Sequence, residues 1–216
     1  MMFNDRRDAG VQLASRLEEY KGQTGVLVLA LPRGGVATGY EIAHYLKVPL
    51  DIVIVRKIGF PGQPELAIGA VSETGRVVLN ESIISTYGVS KDYIEREVSQ
   101  QKKEISRRAE LYRKGKRLPS LEGKTIILVD DGVATGATMK AAIITLKEEK
   151  LKKLIVALPV APVGMADEIE QMADTFICIE TPFDFMAVGA YYQDFTQVSD
   201  EEVIDLLERS AKKLSA

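Results

Sequence analysis

A chain of 216 residues with net charge −3, 46% hydrophobic and 27% charged residues has enough apolar material for one α/β domain, and its acidic balance argues against general nucleic-acid affinity. Its one cysteine, Cys178, excludes an intramolecular disulfide, and its one histidine, His44, cannot build a metal cluster. No apolar run approaches the ~18 residues of a membrane helix, and Asp5, Arg6, Arg7 and Asp8 do not read as a signal peptide, so a cytoplasmic protein without membrane contact is expected.

Residues 8–21 read as an amphipathic helix with Val11, Leu13, Ala14 and Leu17 on its apolar side. Residues 26–31 form a short apolar strand, Pro32-Arg33-Gly34-Gly35 a turn, 36–46 a second helix that stops near Pro49, and 51–55 a second strand. This βαβ unit with a glycine-rich first loop predicts a parallel sheet. Arg56-Lys57-Ile58-Gly59-Phe60-Pro61-Gly62 then leaves the strand into a loop. Residues 66–71 and 76–79 read as a hairpin around Glu73-Thr74-Gly75. Residues 90–114 read as one long helix with a narrow apolar stripe at Ile94, Val98, Ile105, Ala109 and Tyr112. Within 102–117, eight Lys or Arg stand against two Glu; a basic solvent face is the main reading and an RNA-contacting patch the sharper one.

The second half reads as a strand at 125–129, a helix at 139–149, a strand at 154–158 ended by Pro159 and Pro162, a helix at 164–172, a strand at 175–179, and a terminal helix at 199–213 with Ser199 as its cap. Cys178 lies in the apolar run 176–179 and reads as a core residue rather than a nucleophile; His44 reads as structural. No linker divides the chain, so residues 1–216 are expected to form a single domain with an insertion over about 58–120.

The most informative stretch is 126–138, Ile-Ile-Leu-Val-Asp-Asp-Gly-Val-Ala-Thr-Gly-Ala-Thr. An unbroken apolar strand suits the centre of a sheet covered on both faces. It ends in two carboxylates, Asp130 and Asp131, and a loop rich in glycine and threonine leads into a helix. In open α/β sheets that edge binds ligands, and free N–H groups at a helix start favour an anion. Gly132 and Gly136 let backbone approach a ligand; Thr135 and Thr138 add hydroxyls. The plainer alternative stays open for an isolated Asp-Asp pair, since acids are common at strand ends and Gly-Thr turns often only cap helices. Neither Gly-x-x-x-x-Gly-Lys-Ser/Thr nor a strand-linked Gly-x-Gly-x-x-Gly is present.

Two further constellations sit at strand ends. Leu31-Pro32-Arg33-Gly34-Gly35 can bind an anion through backbone N–H groups and one guanidinium, or be a simple βα turn with a surface arginine. Arg56-Lys57 would bring two cations to the same edge, or be a solvated pair. Phe183, Phe185, Tyr191, Tyr192 and Phe195 place five of the chain's fourteen aromatics within thirteen residues, a pattern that usually packs a core.

Residues 126–138 resemble the PRPP-binding motif of type I phosphoribosyltransferases: apolar strand, two acids, two variable residues, then Ala-Thr-Gly-Ala-Thr. The resemblance covers roughly residues 24–57 and 124–180. It implies a mostly parallel twisted α/β sheet flanked by helices, with a long lid or helix insertion and a small hood. It implies displacement at the anomeric carbon of PRPP by a nitrogen nucleophile such as a nucleobase, with release of pyrophosphate. Asp130 and Asp131 would hold the ribose hydroxyls directly or through Mg²⁺, which accepts carboxylate and phosphate oxygens while keeping waters. Val133, Ala134, Thr135, Gly136, Ala137 and Thr138 would bind the 5′-phosphate. Arg33, Gly34 and Gly35, with Arg56 or Lys57, would bind pyrophosphate.

The pyrophosphate loop of this family often carries a non-proline cis peptide, expected here at Arg33-Gly34 or one bond away. The family's lid would fall in the insertion, where Gln63, Glu65, Ser72 and Glu73 are candidates to face a ligand. Residues 181–198 are a candidate hood, with Phe185 and Met186 the candidates to hold the base. Hypoxanthine-guanine members carry an acid where this chain has Ala134; adenine and orotate members have Ala, so a 6-oxopurine acceptor is less favoured. A homodimer is among the assemblies the resemblance allows. A transferase stands beside two alternatives: a PRPP-sensing regulator acting through RNA or a partner, and a plain Rossmann-like nucleotide binder that lacks its phosphate motif.

Overall fold

The structure, a computed structural model, describes residues 2–214, except for the side chains of Pro64, Glu65 and Leu214. The expected lid candidate Glu65 therefore lies outside the described side chains. The elements run α1 (Arg6–Ser15), β1 (Val26–Ala30), α2 (Gly34–Leu46), β2 (Leu50–Ile52), β3 (Val55–Phe60), β4 (Gln63–Ser72), β5 (Val77–Leu79), α3 (Glu81–Tyr87), α4 (Lys91–Arg113), β6 (Thr125–Val129), α5 (Ala137–Lys147), β7 (Lys153–Val160), α6 (Val163–Met172), β8 (Thr175–Glu180) and α7 (Asp200–Leu214).

Five strands form a wholly parallel sheet in the order β2-β1-β6-β7-β8. Every residue of β1 and β6 is buried, as a strand covered on both faces requires. Alternate residues serve opposite sides. Leu27, Leu29, Ile126 and Leu128 pack with Met139 and Ile143 of α5, whereas Val26, Val28, Ile127 and Val129 pack with Leu13 of α1 and Ile42 and Leu46 of α2. A second, antiparallel sheet, β3-β4-β5, joins the first cluster through Val55 and Ala70. The α/β class, the parallel sheet and the hairpin thus follow the sequence reading. Among the described residues no helix is long and apolar enough to cross a membrane.

Four elements depart from it. The first helix ends at Ser15, a 3-10 turn takes Glu18–Tyr20, and Val11 is 51% exposed. The buried stripe is Ala9, Gly10, Leu13 and Ala14, because Gly10 lies against α2: a Cβ there would meet Thr38 O at 2.6 Å. The strand expected at 51–55 splits. β2 leaves the main sheet after Ile52, and the chain crosses through buried Val53 and Ile54 into β3. Arg56 and Lys57 consequently lie inside a strand rather than at its exit. Pro159 does not end β7, which runs on to Val160; β6 pairs with β7 only up to Ala157, so the missing N–H breaks no bond on that side. The short helix α3 has no buried residue and escapes any periodicity test; its signals are the Asn80 cap on Ile83 N–H and Gly88 in the left-handed region.

Other expectations concern single residues. The Cys178 thiol packs on the core and donates to Glu180 O, and burial pushes its pKa up to about 11, which suits an inert cysteine. Ser199 caps α7 by accepting from Glu202 N–H. Two lid candidates are spent within the fold: Ser72 is buried and shares a hydrogen bond with Thr74, and the Glu73 carboxylate is buried on Arg113. Gln63 is exposed.

Candidate functional site

β1 and β6 are neighbours paired from Val26/Thr125 to Ala30/Val129. The chain leaves β1 through α2 toward β2 at one edge and leaves β6 through α5 toward β7 on the other side. The connections therefore leave the two strand ends in opposite directions, at the switch point where such sheets bind ligands. The sequence places Pro32–Gly35 in one loop and Asp130–Gly136 in the other.

The two loops touch. A Cβ on Gly34 would overlap Asp131 Oδ2, and one on Gly35 would lie 2.9 Å from both Asp130 Cα and Val129 O. Glycine at both positions is thus demanded by close approach. The Pro32–Arg33 peptide is cis, one bond from Arg33–Gly34. Gly35→Ala must displace backbone at the end of β6, so it is expected to cost about 1–3 kcal/mol of stability and at least tenfold in affinity for any ligand held by both loops. Thermal unfolding alongside ligand titration checks this; unchanged affinity would show that the contact does not set the site.

The two acids differ. Asp131 Oδ2 accepts from Arg6 Nε at 2.7 Å. Arg6, 9% exposed, also donates to Thr196 O at 2.7 Å and lies 3.8 Å from the centre of the Phe195 ring. Asp130 has no ion pair among the described residues and accepts only the N–H of Asp131, at 2.9 Å. Burial, then the neighbouring Asp131 charge, raises its pKa well above the carboxylate range. Asp130 is therefore a part-buried carboxylate without a cation of its own among the described residues.

The following loop turns through two left-handed glycines before α5. Gly132 has φ 142° and Gly136 φ 66°, both in glycine's territory. Val133 is tied down by its N–H to Val160 O at 3.1 Å, while Ala134, Thr135 and Thr138 are exposed. Ala137 opens α5 with no side-chain cap, which leaves first-turn N–H groups for a ligand. No group of three or more His, Cys, Asp and Glu suited to a metal occurs among the described residues. Asp130 and Asp131 carry oxygen donors of the kind Mg²⁺ takes, one or two carboxylates alongside substrate oxygens.

The segment after β8 closes over the acids. Tyr192 donates its hydroxyl to Asp131 O at 2.5 Å, and Val188 fills the space beside Gly132. Burial raises the Tyr192 phenol so that it stays a donor. Phe185 stacks on Tyr191 with centroids 5.7 Å apart, and Phe183 and Met186 are 90% and 88% exposed. Of the expected cations, Arg33 stands at the start of α2 with the loop. Arg56 is part-buried and donates to Gln101 of α4 at 3.0 Å, and Lys57 follows it on the opposite face of β3. Neither lines the cavity beside Arg33. Arg6, Tyr192 and Phe195 were not identified as site residues from sequence: Arg6 reaches its partner across 125 residues, and only chain closure brings them together.

The family model for the phosphoribosyl transferase domain matches residues 6–195. Two Mycobacterium tuberculosis proteins, from strains CDC 1551 and H37Rv, each described as a putative phosphoribosyl transferase, are 44% identical over 212 residues, 97% of this chain. The chain spans 47% of the length of each. A crystal structure of a Thermus thermophilus protein superposes with a TM-score of 0.88 at 42% identity, covering 97% of this chain and 99% of that one.

Proposed function

The chain belongs to the phosphoribosyl transferase domain family, and from that premise we propose that it transfers 5-phosphoribose from PRPP, with Mg²⁺, to a nitrogen nucleophile such as a nucleobase and releases pyrophosphate, in the cytoplasm. The observation that carries this reading is the contact between the acid pair and the Gly34-Gly35 turn at the sheet's switch point. A sugar held by the acids then has one phosphate cradle, 133–138, on its own loop, and a second anion loop against it.

The residues divide the task. Arg6 neutralises Asp131 and orients it, so Asp130 is the carboxylate left to bind ribose hydroxyls. Mg²⁺, when bound by Asp130 and Asp131, supplies positive charge to pyrophosphate oxygens. The N–H groups of 134–138 and the hydroxyls of Thr135 and Thr138 hold the 5′-phosphate, while Val133 anchors the loop through its N–H to Val160 O; this fixes the anomeric carbon relative to the acids. Bond breaking leaves positive charge on the sugar and negative charge on the leaving group; fixed carboxylates stabilise the first, and Arg33 with the Gly34 and Gly35 N–H groups the second. Phe185 on the closing segment offers a ring face to a base, with Met186 exposed beside it. Ala134 supplies no acid to a 6-oxopurine, which favours acceptors of the adenine or orotate kind.

Half of the basic stretch that would favour a regulator acting through RNA is paired with acids. Arg113 is buried among acids, Arg107 and Arg108 pair with Glu104, and Lys114 pairs with Glu208. The test is to supply PRPP, Mg²⁺ and a panel of nucleobases and follow pyrophosphate release. Release with one base supports the transferase; tight PRPP binding with silence across the panel would sink it.

A further inference from the structure

Beside the Arg33 loop lies a cavity of about 500 Å³, and among its walls are Arg6, Arg33, Arg107, Arg108, Tyr112 and Asp200. Its size falls within the range of small-ligand sites. Resting on the donor reading above, in which the Arg33 loop takes the pyrophosphate end, we propose that Arg107 and Arg108 of α4 are further anion ligands of that end and complete what Arg33 begins.

The charge balance supports an anion. Arg6 is neutralised by Asp131. Arg33, Arg107 and Arg108 remain against Glu104 and Asp200, a surplus of one positive charge before backbone N–H groups are considered. Arg107 is held by Glu104 through Nε and Nη2, but the other two arginines keep unused donors. The Arg33 side chain makes no hydrogen bond among the described residues, and its ion pair with Asp200 is 3.9 Å long. Arg108 donates to Glu104 through Nε, which leaves its two terminal nitrogens without a partner among the described residues. Asp200 Oδ1 accepts from the buried Tyr112 hydroxyl at 2.7 Å and faces Arg33. It occupies the place an anion oxygen would take between a phenol and a guanidinium. Burial and Asp200 push the Tyr112 pKa up to about 12, so that hydroxyl remains a donor. The sequence reading assigned this role to Arg56 or Lys57; the cavity draws its extra cations from the inserted helix.

The proposal predicts effects of opposite sign. In Mg²⁺ buffer, the wild type, Arg107→Gln/Arg108→Gln and Asp200→Asn are titrated calorimetrically with pyrophosphate and, separately, with ribose 5-phosphate. The double arginine variant should bind pyrophosphate about tenfold or more weakly, about 1.4 kcal/mol, with ribose 5-phosphate within about twofold. Asp200→Asn keeps the acceptor for Tyr112 but removes the competing charge, so it should tighten pyrophosphate. Arg107→Lys/Arg108→Lys should retain most of the affinity if the pocket works by charge, and melting curves identify any variant that fails to fold. Pyrophosphate affinity indifferent to Arg107 and Arg108, or equal weakening of both ligands, overturns the pocket. The two readings fail separately: arginine-dependent pyrophosphate binding without PRPP binding keeps the pocket and removes the donor reading, and the converse result does the reverse.

Discussion

Asp130→Asn is expected to abolish PRPP binding, by a factor of at least about 100, or about 2.7 kcal/mol, while making the ligand-free protein more stable. Both effects have one cause. Asp130 is a part-buried carboxylate beside a second carboxylate and has no cation of its own among the described residues. Asparagine keeps the oxygen that accepts from Asp131 N–H but loses the charge that would bind ribose hydroxyls or Mg²⁺. A gain of about 1 kcal/mol is typical of relieving a site held ready for its ligand.

The pH dependence gives the sign. The folded-state pKa is raised, so between the unfolded value near pH 4 and the folded value the native protein binds the extra proton. Wild-type stability therefore falls as pH rises through that window. The asparagine variant lacks this loss. Its advantage should be absent below about pH 4, grow across that window and level off once the folded carboxyl has ionised. Urea unfolding of both proteins with chelator, across that range, measures the difference. An advantage that does not change with pH, or PRPP affinity that survives, would remove Asp130 from its role. Asp131→Asn is the less clean probe because it also breaks the pair with Arg6.

The largest purely structural effect is expected at Arg113. Its side chain is 5% exposed. It donates to Asp51 Oδ1 at 2.7 Å, to both Glu73 oxygens at 2.5 and 3.0 Å, and to Ile52 O at 2.5 Å. Glu73 in turn accepts Ile54 N–H at 2.9 Å. One guanidinium thus ties the end of α4 to edge strand β2, to the crossing at 53–54 and to the β4–β5 turn. Arg113→Met keeps most of the stem but strands two acids, at a cost of about 3–5 kcal/mol. Arg113→Lys should recover little, because an ammonium cannot copy the fork. Adding Glu73→Gln and Asp51→Asn to Arg113→Met should restore part of the loss, since most of the penalty is orphaned charge. Arg113→Met within about 1 kcal/mol of wild type in denaturant unfolding would show that the network is solvated and dispensable.

The amino-acid sequence by itself determined the parallel sheet, the long helix and the strand-acid-loop-helix junction at 126–138. These are written in local signals: unbroken apolar runs for strands buried on both faces, 3.6-residue stripes for helices, and glycine where backbone turns left-handed. The hairpin around 73–75 was legible for the same reason. Only tertiary structure decided where the chain leaves the sheet after Ile52, since residues 51–60 form a continuous extended run and register alone says which part pairs with β1. Only tertiary structure separated the twin acids, giving Asp131 an arginine from 125 residues away and leaving Asp130 without a cation and with a raised pKa. It also sent Glu73 to Arg113 and brought Arg107 and Arg108 to a cavity beside Arg33. A charge's role depends on burial and on which opposite charge lies within a few ångströms, and both are set by contacts between segments remote in the chain.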